Sequence, residues 1–154
     1  MTDRSLSRRR ALSLIVVGGA AGALAACART PSTPAAAALP AAPTVAADAA
    51  VTARGSFVGA SNHVTTGHAR VLQSAGKFVI ELEDDFSFDG APDPKVALGN
   101  NGYDADTILS PLRSNSGRQA YALKPGIDIG RYNEVWIWCE KFSVPLGVAK
   151  LALT

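Results

Sequence analysis

Four side chains carry most of the chemistry open to this chain of 154 residues: the thiols of Cys27 and Cys139 and the imidazoles of His63 and His68. A thiolate is a nucleophile and a soft metal ligand, while a neutral imidazole binds metals and moves protons. Cys139 ends the run Val135-Trp136-Ile137-Trp138-Cys139. With His63 and His68 it makes up the two-histidine, one-cysteine donor set that blue-copper centres use. The cysteine or a histidine would equally serve as an axial ligand to non-covalently bound haem. The Cys-x-x-Cys-His of covalent haem is absent, and Met1 is the only methionine, so a mature chain has no axial thioether.

The two cysteines are not expected to pair with one another. Arg8, Arg9 and Arg10 precede an uncharged run to Ala26, which is the order of a charged and then an apolar export segment. The run ends Leu24-Ala25-Ala26-Cys27, which looks like a lipobox, the site of cleavage before a cysteine that becomes diacylated. Ser7-Arg8-Arg9-Arg10-Ala11-Leu12 resembles a twin-arginine export signal, with Ala11 where an aromatic is commonest. The competing reading is a retained membrane helix. Gly18, Gly19 and Gly22 weaken it as a helix, and small residues before Cys27 suit cleavage. A multiply acylated Cys27 would hold the protein on the outer side of a membrane, at the cell surface or in a periplasm, within the cell envelope.

Removing residues 1–26 takes away four of the 15 basic residues and one of the 13 acidic ones, which leaves a net charge of −1. The basic excess belongs to the signal, so nucleic acid is not an expected partner. Residues 27–54 are rich in Ala, Pro and Thr, with Pro31, Pro34, Pro40 and Pro43, and read as a flexible, extended tether.

Residues 55–154 form the one part able to build a core. Short runs of period-two apolarity, at 55–61, 69–72, 78–82, 95–98, 119–123, 134–142 and 148–153, are separated by turn residues. Gln73-Ser74-Ala75-Gly76 predicts a hairpin, and 99–106 and 110–118 read as polar loops. No segment supports a three-turn amphipathic helix. The expected fold is all-β, a single antiparallel β-sandwich.

Several motifs in this part also match a known family. They are Gly55-x-Phe57, His63 followed by Gly67-x-Ala69, Leu82 with Asp85-Phe86, and Pro92-Asp93 leading to Val96-Ala97-Leu98. Tyr132, Val135-Trp136-Ile137-Trp138-Cys139, Phe142-x-Val144, Gly147 and Ala149-x-Leu151 complete the set, which resembles the DM13 domain. Gly90-Ala91-Pro92-Asp93-Pro94 departs from the commoner Gly-Pro-Asp-Leu in a turn. The resemblance implies a β-sandwich, often extracellular and membrane-tethered, with a role in redox chemistry or electron transfer through Cys139.

In a strand, Val135, Ile137 and Cys139 share one face and Trp136, Trp138 and Glu140 the other. That places Cys139 on an apolar, buried face, where a free thiol is often only a small hydrophobe. Lys141, two residues on, would depress the thiol pKa if the strand end were open to solvent. With no second thiol in the domain, a dithiol cycle within one molecule is excluded, leaving sulfenic acid, a mixed disulfide with a protein redox partner, or a cofactor. The acidic run Glu81 to Asp85, with Asp89 and Asp93, could draw calcium, but is expected to solvate a strand edge. Trp136 and Trp138 are expected in the core rather than as a sugar-stacking platform. Ser110, Ser114 and Ser116 lack a nucleophile elbow. Three classes remain: an anchored redox domain, a non-catalytic binding or adhesion module, and a structural envelope lipoprotein. None is read as a stand-alone enzyme.

Overall fold

The computed structural model describes Leu39 and residues 41–154; the signal segment, the lipobox with Cys27 and most of the tether lie outside the described residues. No helix long and apolar enough to cross a membrane occurs among the described residues. The described part is almost wholly β. Its strands are β1 (Ala50–Gly59), β2 (Thr65–Thr66), β3 (His68–Ser74), β4 (Lys77–Leu82), β5 (Ser87–Phe88) and β6 (Pro94–Gly99). They continue with β7 (Ser110–Pro111), β8 (Gln119–Ala122), β9 (Glu134–Cys139), β10 (Val144–Lys150) and β11 (Ala152–Leu153). Helical geometry is confined to two three-residue turns, Ala105–Thr107 and Ile129–Arg131.

The fold is the expected antiparallel β-sandwich, closed into a near-barrel by one long strand. Strands run in the order β7-β6-β9-β10-β1-β3-β4-β8, with β11 also on β1. β1 pairs with β3 from Ala50 to Ser56 and with β10 over Phe57 to Gly59, so it passes from one layer to the other. Side-chain alternation then fills the space between the layers. Val96 faces Ile137, Leu98 faces Val135, and Val71 faces Ile80 across neighbouring strands, all buried. Phe57, Phe86, Phe88 and Tyr121 close the core, with the Phe57 and Phe86 rings edge to face at 5.3 Å.

The hairpin expected at 73–76 is the β3–β4 turn, tightened to Ala75 and Gly76 at φ 49° and 73°. Two left-handed residues match the twist of the paired strands. The strand expected from Gly55 begins five residues earlier, at Ala50. Ala50, Val51 and Ala53 have a tether-like composition, yet hydrogen bonding to β3 and β11 recruits them. Similarly, β10 starts at Val144 rather than 148, because Leu146 bulges out of register and is buried. The strand expected to run to Phe142 stops at Cys139, and Phe142 lies in the turn, 60% exposed.

The acidic run does not border an edge. β4 is an interior strand between β3 and β8, and its acids carry arginines. Buried Glu81 meets Arg70 at 2.7 Å and Arg118 at 3.0 Å, Glu83 takes Arg54, and Asp84 takes Arg118.

Candidate functional site

Cys139 is the one free cysteine among the described residues, and it is sealed. It ends β9 between Pro94 of β6 and Val144 of β10, on the inner face with Val135 and Ile137, and is 1% exposed. Its Sγ–H donates to the Pro92 carbonyl at 3.0 Å, so loop 90–94 lies over the sulfur. That loop is bent by left-handed Gly90 and Asp93, at φ 99° and 57°. A backbone bond from Glu140 N to Asp93 O, 3.2 Å, ties it to the residue after the cysteine.

Lys95 adds a second tie. Its Nζ lies 2.6 Å from Asp93 Oδ1 and 3.3 Å from Glu140 Oε2, with the lysine side chain only 14% exposed. The hydrogen bond to Asp93 raises its pKa, against the smaller opposing effect of burial. Lys141 does not take the role its spacing suggested. The strand ends before it, and its ammonium lies 5.5 Å over the ring of Phe142 on the surface.

The histidines go elsewhere. His63 Nδ1 pairs with Asp89 Oδ1 at 2.9 Å, and His68 Nδ1 pairs with Asp85 Oδ2. Each carboxylate also accepts a backbone N–H, Val64 on Asp89 and His68 on Asp85, so the two pairs bracket the small β2–β5 ladder. The pKa of Asp85 is lowered chiefly by its His68 hydrogen bond, that of Asp89 by Val64 N–H and then by His63. Both histidines are therefore held by carboxylates beside that ladder.

A copper centre built from His63, His68 and Cys139 does not fit this arrangement. Among the described residues, the one group of three or more donors converging within 4.8 Å is His68, Glu83 and Asp85. Glu83 there is already held by Arg54 and Arg70. Haem fits no better, because Cys139 is enclosed by packed core, and two clefts on the outer side of β3 and β4 include none of Cys139, His63 and His68 in their linings.

Trp136 and Trp138 depart from expectation as well. They point away from the core and are half-buried on the outer face of β9. Tyr103 stacks on Trp138 with centroids 3.9 Å apart and planes 8° from parallel, and Trp136 meets Trp138 edge-on at 6.3 Å. Trp136 Nε1 donates to Glu134 Oε2 at 3.0 Å, a carboxylate that also accepts from Gly102 N at 2.9 Å. Gly99 must be glycine here, since a Cβ would strike the Trp136 indole and the Gly102 carbonyl. Tyr103 was missed in the sequence, where its only signal is an aromatic inside an otherwise polar loop.

These features define a small antiparallel β domain with a sealed thiol at the end of a core strand and an aromatic cluster on that strand's outer face. The family model DM13, described as electron transfer DM13, matches residues 56–151, and the chain belongs to that family. No curated protein and no solved structure matches the chain.

Proposed function

We propose that this protein is an extracytoplasmic lipoprotein, held to a membrane by acylated Cys27, whose DM13 domain exchanges electrons through the thiol of Cys139. Membership of a family described by electron transfer supports the electron-transfer part of this reading. The observation that selects the atom is Cys139 itself. It is the sole thiol among the described residues, and it lies one loop away from solvent at a strand end. The failure of the histidines to converge with it favours thiol chemistry over a bound copper.

With one thiol, the balanced step is exchange with a protein disulfide. The Cys139 thiolate attacks one sulfur of the partner's disulfide, a mixed disulfide forms, and the partner's second sulfur leaves as a thiolate. That thiolate takes up the proton Cys139 gave to solvent. A thiol of a second, dithiol protein then attacks the Cys139 sulfur and releases the first partner as a dithiol. The donor's other thiol displaces Cys139 and closes the donor's disulfide, so two electrons pass from the donor to the first partner and Cys139 returns as a thiol.

To test this, the full protein is recovered from membranes of its native host after acid quenching and alkylation, and the Cys139 peptide is examined by mass spectrometry. A fraction of Cys139 in mixed disulfide, absent from Cys139→Ser, is expected, together with a featureless visible spectrum. Cys139 found fully reduced under oxidising growth, with Cys139→Ser active in the cell, would overturn the reading. Cys27→Ser is expected to move the protein from the membrane fraction to the soluble extracytoplasmic fraction.

A second reading, a non-catalytic binding module, is favoured by the outward cluster of Tyr103, Trp136 and Trp138. It predicts that Trp138→Ala abolishes function in the cell while Cys139→Ser does not.

A further inference from the structure

The reading of Cys139 as the working thiol leaves its access unexplained, since a sulfur that is 1% exposed meets no partner. We propose that Lys95 is a positioning residue for Cys139: it latches loop 90–94 over the thiol, and release of this latch, with the barrel intact, governs when the thiol can react. The inference rests on Cys139 being the functional atom, but what it predicts is local opening, which is measurable whether or not electrons pass through Cys139.

Three observations carry it. The cover is a short loop and not a strand. Among the described residues, the hydrogen bonds that hold its middle to β9 are the one from the sulfur to the Pro92 carbonyl and the one from Glu140 N to Asp93 O, with Ala91 packed against the core beside them. Asp93 sits in the left-handed region at φ 57°, which aspartate tolerates at a modest cost that surrounding contacts offset. Lys95 supplies such contacts from both sides. Its ammonium joins Asp93, within the loop, to Glu140, next to the cysteine, and its stem lies on the outer face opposite Trp138. The core beneath is independent of this clasp, because Val96, Ile137 and Val135 pack through the inner face. Asp93 and Glu140 side chains are about half exposed, so the latch is the part of this region that salt or a charged partner surface reaches first.

The test is the rate at which a small disulfide reagent labels Cys139 in the full-length protein, read on the Cys139 peptide so that Cys27 does not interfere. Lys95→Met retains most of the stem and removes both ion pairs, and is expected to raise the labelling rate about five- to tenfold with little change in the urea unfolding midpoint. Lys95→Arg should restore the slow rate. Asp93→Asn keeps a residue that tolerates the left-handed conformation and should also speed labelling. Lys77→Met, at the distant hairpin turn, should leave the rate unchanged. Labelling that is equally slow in Lys95→Met and wild type, or that follows global unfolding with the same urea dependence in every variant, would overturn the latch. The disulfide-exchange reading would survive that result, and its own test stands separately.

Discussion

The two outer faces of this barrel are built on the same cross-strand geometry and filled with opposite chemistry. On one layer, Arg54, Arg70, Glu81 and Ala120 stand side by side across β1, β3, β4 and β8. On the other, Val58, Val148, Trp136 and Ala97 stand side by side across β1, β10, β9 and β6. The charged row satisfies itself: Arg70 and Arg118 share Glu81, while Glu83 and Asp84 take the remaining charge of Arg54 and Arg118. So complete is this pairing that Glu81, outward-facing, is 3% exposed. The apolar row has no such internal partner beyond Tyr103, and Val58 remains 71% exposed. A face that neutralises itself has little left to offer a partner, whereas an apolar face backed by Cys139 on the same strand does. On the proposed reading, a redox partner would dock on the layer that carries the thiol.

The comparison breaks most sharply at Glu81. Glu81→Gln leaves Arg70 and Arg118 without the buried carboxylate they share, and is expected to cost about 3 kcal/mol in urea unfolding, because two charge-assisted hydrogen bonds to a buried acceptor are lost. On the other layer, Trp138→Ala removes the stack with Tyr103 from a half-buried site and is expected to cost about 1–2 kcal/mol, with no dependence on salt. A larger loss from Trp138→Ala than from Glu81→Gln would reverse the assignment of which face is structural.

The smallest effect is the response to acid. Asp84, Asp85 and Asp89 have folded-state pKa values below the ordinary carboxylate range, caused first by the Arg118 hydrogen bond, the His68 hydrogen bond and the Val64 N–H respectively. The folded state therefore binds fewer protons than the unfolded chain. Their contribution is present above the unfolded carboxylate range and is lost as pH falls from about 5 toward 3. The urea midpoint should drop over that window, and Arg118→Met should flatten the drop. Trp138→Ala should run parallel to wild type. A variant of the aromatic face that changed the acid slope would show that the two faces are coupled.

Much of this arrangement was legible before any coordinates. The alternation in Val135-Trp136-Ile137-Trp138-Cys139 set the thiol on the face of Val135 and Ile137 and the indoles on the opposite face, although the indoles were expected in the core, and Ala75-Gly76 marked the hairpin. Other features were opaque for identifiable reasons. The start of β1 at Ala50 is invisible because Ala, Val and Thr there are as suited to a tether as to a strand, and pairing with β3 decides. The acids of β4 looked like edge charges because nothing local reveals that Arg118, from the loop before β8, returns to cover them. Lys141 looked like the cation nearest the thiol, yet the strand ends before it and Lys95, across the sheet, shapes that region instead.

By itself the sequence determined the β class, the family motifs and the side of the strand on which Cys139 stands, since alternation is a property of each residue and its immediate neighbours. Only the tertiary structure decided that the thiol is closed, that the histidines are spent on Asp85 and Asp89, and that Tyr103 completes the aromatic cluster. Those outcomes depend on segments far apart in the chain, as Pro92 is from Cys139 and Tyr103 from Trp138. Their meeting is settled by how the two layers share β1 and pack around one core, a balance of long-range contacts that no local pattern records.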